Sequence, residues 1–178
     1  MKSPVIMSVL ALVVAALVLF GLSAGLSGVA ERNAQAVELA MMQALLPGSE
    51  AFTQEPYTGE DSNVRAVYRG EGGFVIETCT YGYADEITML VGVSHKGEVT
   101  GLVVKEMHET FGLGGAVLTD VDFLGQFLYG SDRFEVGTNV DAITGATVTS
   151  KAVARCVNAA VAVVTGADAE SGATSWGG

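Results

Sequence analysis

Three patterns of apolar and polar residues follow one another along the chain. From Ser3 to Ala30 no residue is charged, and Val5 to Leu22 is almost wholly Val, Leu, Ala, Ile and Met. Such a run meets the requirement of about 20 apolar residues for a helix crossing the hydrocarbon core of a bilayer. A transmembrane helix is therefore expected at about 5–27, with residues 1–30 as a membrane anchor. The competing reading is a signal peptide, begun by Lys2 and cleaved after Gly28-Val29-Ala30, but its apolar stretch is expected to be only about 7 to 15 residues long. Lys2 precedes the span and most of the acid follows it, so the positive-inside bias predicts a single-pass protein of the cytoplasmic (inner) membrane. Residues 31–165 then form a domain on the extracytoplasmic side.

The second pattern has helical spacing and the third is that of strands. Ala34, Val37, Met41, Ala44 and Leu45 recur at three- and four-residue steps, which predicts a helix over Glu31–Leu46 stopped by Pro47-Gly48. Ala51 to Ser62, polar and containing Pro56 and Gly59, reads as a loop. Val64–Tyr68, Phe74–Thr80, Glu86–Ser94 and Glu98–Lys105 are β-branched runs separated by Gly70–Gly73, by a break at Gly82 and by His95-Lys96-Gly97, the pattern of an antiparallel meander. Val117, Val121, Leu124 and Leu128 predict a short helix within Ala116–Tyr129. A longer one over Val148–Thr165 carries the stripe Ala152, Val153, Cys156, Val157, Ala160 and Val164 and ends at Gly166. Residues 166–178 are small and polar and are expected to be a disordered tail. The fold class is thus α+β, a membrane helix followed by an antiparallel sheet with flanking helices.

Composition narrows the partners. The 178 residues carry 9 Lys and Arg against 20 Asp and Glu, a net charge of −11, so no basic surface is available for nucleic acid. Cys79 and Cys156 fit no metal or redox spacing and read as two separate buried thiols; a single bridge is the alternative. His108 and His95 have no third ligand near them in sequence, so no metal site is expected.

Two segments carry candidate chemistry. Asp141-Ala142-Ile143-Thr144-Gly145-Ala146-Thr147-Val148-Thr149-Ser150 sets an acid, a glycine and four hydroxyls where the chain enters its last helix. Free N–H groups and the dipole make a helix N-terminus an anion site, above all for phosphate. The plainer alternative is that Thr144, Thr147 or Thr149 caps the helix and Asp141 forms an Asx turn. The other segment, His108-Glu109-Thr110-Phe111-Gly112-Leu113-Gly114-Gly115, has three glycines in four positions and could lie flat against a planar ligand, or be an ordinary solvated loop.

The Gly82–Ile87 strand start, the Glu109-Thr110-x-Gly112-Leu113-Gly114 loop and Asp141-x-x-Thr144-Gly145-Ala146-Thr147-x-Thr149-Ser150, behind an N-terminal membrane helix, resemble the FMN-binding domain family of redox-driven ion pumps. That family includes the G subunits of Rnf electron transport complexes and the longer C subunits of sodium-pumping NADH:quinone reductases. The resemblance implies FMN joined by a phosphoester to Thr147, with Asp141, Thr144, Gly145 and Ala146 completing the motif read by a flavin transferase. It also implies that Glu109, Thr110, Gly112, Leu113, Gly114, Thr149 and Ser150 line the cofactor. Phe111 stands where the family usually has Pro, and Met107 where it often has His. Implied partners are the other membrane subunits of an Rnf-type ferredoxin:NAD oxidoreductase, among them a second covalent-flavin subunit and iron–sulfur subunits. The implied function is electron carriage within a redox-driven ion translocase, with no catalytic residue of the chain's own. A quinone-reductase C subunit, and a membrane-anchored binding module without flavin, are the alternative functions.

Overall fold

A computed structural model describes residues 32–107 and 114–166. The expected transmembrane helix at about 5–27, the residues Glu109, Thr110, Gly112 and Leu113, and the tail from 167 onward lie outside the described residues. Helix α1 covers 32–45. Five strands follow, β1 (Thr53–Glu55), β2 (Val64–Arg69), β3 (Gly73–Tyr81), β4 (Glu86–Ser94) and β5 (Val99–Met107), then α2 (Gly114–Val117), α3 (Val121–Gly125) and α4 (Thr147–Thr165). The strands form one antiparallel sheet in the order β1-β2-β3-β4-β5, a meander as the glycine-punctuated runs predict. Two expectations need correction. β1 lies inside the segment read as a loop, and pairs with β2 from Thr53↔Arg69 to Glu55↔Val67. The single helix expected over 116–129 is two short helices, because Asp120 starts a new one by accepting the Phe123 N–H at 2.8 Å.

Alternation along β3 and β4 gives the sheet two apolar faces. Ile76, Met89, Val91 and Val93 lie under α4, packed with Val153, Cys156, Val157 and Ala160 and with Phe123, Phe127 and Phe134 from the α3–α4 region. Each fully buried side chain of this size contributes roughly 1.5–3 kcal/mol. Among the described residues α4 is the one helix long and apolar enough to cross a membrane. Its apolar side is instead the inner layer of this core. On the other face Met42, Leu45 and Leu46 pack with Val75 and Leu90. There the paired residues Gly92 and Gly101 leave room for the chain at Leu45. A Cβ on Gly92 would come within 2.6 Å of the Leu45 carbonyl oxygen.

Three bulges interrupt the ladders, and each extra residue uses its side chain. In β2 the extra residue is Arg65, whose guanidinium reaches Glu86 at 2.7 Å and the Cys79 sulfur at 2.7 Å. In β5 they are Thr100, which donates to the Leu45 carbonyl at 2.6 Å, and Lys105, which pairs with Glu77 at 2.9 Å.

Candidate functional site

The site is assembled where the long connection from α3 turns into α4. That connection is fixed by amide side chains, two of which reach across it. Gln126 grips Asp141, accepting its N–H at 2.7 Å and donating to its carbonyl at 3.2 Å. From α4, Asn158 grips Phe134 in the same way, at 2.9 and 2.8 Å. The Tyr129 N–H donates to the Val99 carbonyl at 2.8 Å and the Val99 N–H to the Gly130 carbonyl at 3.0 Å, which ties the connection to the start of β5. The carboxylate of Asp141 is left exposed.

Between Asp141 and the helix the chain reverses. Thr144 and Gly145 form the turn, both exposed, and Gly145 has φ +83°, a conformation that side chains with a Cβ rarely adopt. The Ala146 N–H closes on the Ile143 carbonyl at 3.0 Å. Ser150, buried in the first turn of α4, donates its hydroxyl to the Ala146 carbonyl at 3.0 Å and accepts the Ile143 N–H at 3.3 Å. The turn is thus locked by a side chain that follows it.

The residue in the N-cap position is Ala146, buried and without a side-chain oxygen, so no side chain caps α4. This removes the plainer reading in which Thr144, Thr147 or Thr149 serves as cap. The first intrahelical bond runs from the Ser150 N–H to the Ala146 carbonyl. No described residue accepts from the N–H groups of Thr147, Val148 and Thr149, which are the orphan donors of a helix start. Thr147 is the first residue of the helix and is exposed, in the same turn as those donors. Thr149 is buried, and its hydroxyl oxygen has no hydrogen-bond partner. An anion held here meets backbone donors and the positive end of a helix of 19 residues.

Of the sequence-predicted set, the structure therefore brings Asp141, Thr144, Gly145, Ala146, Thr147, Thr149 and Ser150 together around one turn. Gly114 is buried at the start of α2, and α2 packs against α4. Sequence reasoning missed Gln126 and Asn158, which act on backbone 15 and 24 residues away, separations at which no spacing rule operates.

The cysteines are free and buried. Burial pushes the Cys156 thiol up to about 12. Cys79 is also raised by burial, while hydrogen bonding to Arg65 holds the Glu86 carboxyl below its ordinary value. Neither thiol is a nucleophile near neutral pH. No cluster of metal-ligating residues occurs among the described residues.

Comparison with known proteins adds the following. The FMN-binding domain family matches residues 82–162, from the turn between β3 and β4 into α4. In Methanosarcina acetivorans, the G subunit of the ion-translocating oxidoreductase complex is 35% identical over 136 residues, which are 67% of this chain and 71% of the relative. The G subunit of the Na+-translocating ferredoxin:NAD+ oxidoreductase complex of Acetobacterium woodii is 35% identical over 100 residues, 51% of this chain and 48% of the relative. That of the proton-translocating ferredoxin:NAD+ oxidoreductase complex of Clostridium ljungdahlii is 37% identical over 99 residues, 52% and 53%. The chain thus spans about half the length of the last two.

Proposed function

The chain belongs to the family of G subunits of ion-translocating oxidoreductase complexes, and on that premise we propose that it carries electrons on an FMN joined through its phosphate to Thr147. The complex it serves passes electrons between ferredoxin and NAD and couples their flow to ion movement across the membrane. Its partners are the other membrane subunits, including a second covalent-flavin subunit and iron–sulfur subunits, and a flavin transferase during maturation. Residues 5–27 anchor the chain in the cytoplasmic membrane, and residues 31–165 face the extracytoplasmic side.

The observation that carries this reading is the uncapped start of α4. Exposed Thr147 opens the helix in the same turn as three N–H groups that no described residue engages, directly after the Gly145 turn. A phosphoester at Thr147 leaves its phosphate within reach of those donors. Bound flavin supplies the redox chemistry, taking up and releasing electrons one or two at a time. The chain supplies the rest. Thr147 holds the phosphate, and Gln126 and Ser150 hold the turn that presents it. By the family resemblance, Glu109, Thr110, Gly112, Leu113 and Gly114 would line the flavin.

The full chain, made in a host with the transferase, is expected to fluoresce as a flavin band on a denaturing gel and to be heavier than its sequence by one FMN less one water. Thr147→Ala is expected to lose that mass entirely while unfolding within about 0.5 kcal/mol of wild type, as for an exposed residue that caps nothing. The same adduct on the alanine variant would move the attachment to Thr144, Thr149 or Ser150.

A further inference from the structure

α4 is where this acidic chain turns positive. The chain carries 20 Asp and Glu against 9 Lys and Arg. The 19 residues of α4 contain no acid and two cations, Lys151 and Arg155. Both are in register with Thr147: positions 147, 151 and 155 advance four residues at a time, so each lies about one turn beyond the last along one side of the helix. Long helical side chains lean toward the N-terminus, which carries the Lys151 ammonium toward the Thr147 turn.

Lys151 is exposed, and among the described residues no ion pair or hydrogen bond engages it. Arg155 is held in place by donating from Nη2 to the Tyr81 carbonyl at 3.3 Å, yet its buried Nε has no hydrogen-bond partner. From Thr147 to Arg155 the helix rises about 12 Å, comparable to an FMN extended from phosphate to ring. A solvated lysine and a structural arginine account for each cation singly. They do not account for the shared register with Thr147 and the absence of acid along the helix.

Resting on the flavin reading above, we propose that Lys151 is the counter-charge of the tethered flavin. Its ammonium pairs with the phosphodiester at Thr147, and with Arg155 it makes a positive strip along α4 that favours the flavin as it gains electrons.

The test uses the full-length chain in membranes of a host with the transferase. Flavin loading is read by mass spectrometry, and the midpoint potential by optical redox titration at low and high salt. Lys151→Gln is expected to load less FMN and to show a lower midpoint potential than wild type. Lys151→Glu is expected to fall further on both counts, and Lys151→Arg to restore both. The differences in potential should shrink at high salt, as screening of an exposed charge requires. Loaded variants with the wild-type potential at low salt would overturn the counter-charge role while leaving covalent flavin standing. So would failure of Lys151→Gln and Lys151→Arg alike to load, which makes Lys151 a contact for the transferase. A wild-type chain without any adduct would overturn the flavin reading itself, and this proposal with it.

Discussion

At φ +83° Gly145 does by backbone what no other residue of its turn could do without strain, and Ser150 locks the result from the helix side. A motif of small residues thus has two separable parts: Gly145 and Ala146 shape the turn, and Thr147 presents a hydroxyl. Cys156 shows the opposite case, a titratable group kept silent. Its thiol is raised from 9.0 to about 12 by burial against the sheet, so the folded chain keeps a proton that the unfolded chain releases above pH 9. Stability from this group is therefore complete below pH 9 and lost as pH rises from there toward 12, by roughly 1 kcal/mol per pH unit. Urea denaturation between pH 8 and 11 should show that slope in wild type, and Cys156→Ala should flatten it. Native chains are likewise expected to resist thiol alkylation at pH 8.

Among elements, the connection from α3 to α4 depends in part on a side chain of α4, Asn158. Asn158→Ala strands the Phe134 N–H and carbonyl in a part-buried place, and is expected to cost about 1–3 kcal/mol in chemical denaturation. Asn158→Asp, which keeps the acceptor, should lose less. How much was legible in the sequence follows from the same distinction between local and distant causes. The four long strands and α4 announce themselves through their own alternation or stripe, and their observed limits lie within two residues of the expected ones. β1 did not, because Thr53-Gln54-Glu55 is polar and becomes a strand only through its partner β2. The break at Asp120 was visible as a cap residue three positions before Phe123, but an apolar period running from Val117 to Leu128 overrode it. The turn at Gly145 was legible because its residues are contiguous. The amide clamps on the chain leading to it were not, because only the folded chain brings Gln126 to Asp141 and Asn158 to Phe134.

For the whole molecule the proposals set a topology: residues 31–165 outside the cytoplasm, tethered by residues 5–27. Protease added to spheroplasts is expected to digest the domain, and without protease the intact chain should sediment with membranes. Protection of the domain, or a soluble form shortened after Ala30, would replace the anchor with another arrangement. α4 covers one sheet face while the chain at Met42–Leu46 covers part of the other. The turn is anchored to the larger core through Ala146 and Ile143, while Thr144, Gly145 and Thr147 stay exposed.

The two bulges of β5 have a further consequence. β5 is the last strand of the sheet, and an edge strand with open N–H and carbonyl groups is a template on which a second chain can stack. Thr100 and Lys105 throw that edge out of register near both of its ends, and at the Thr100 end the backbone at Tyr129 and Gly130 occupies Val99. Together they act as built-in spoilers of self-association. Deleting Lys105 should straighten the edge, and the purified protein should then scatter light in a concentration-dependent way where wild type does not.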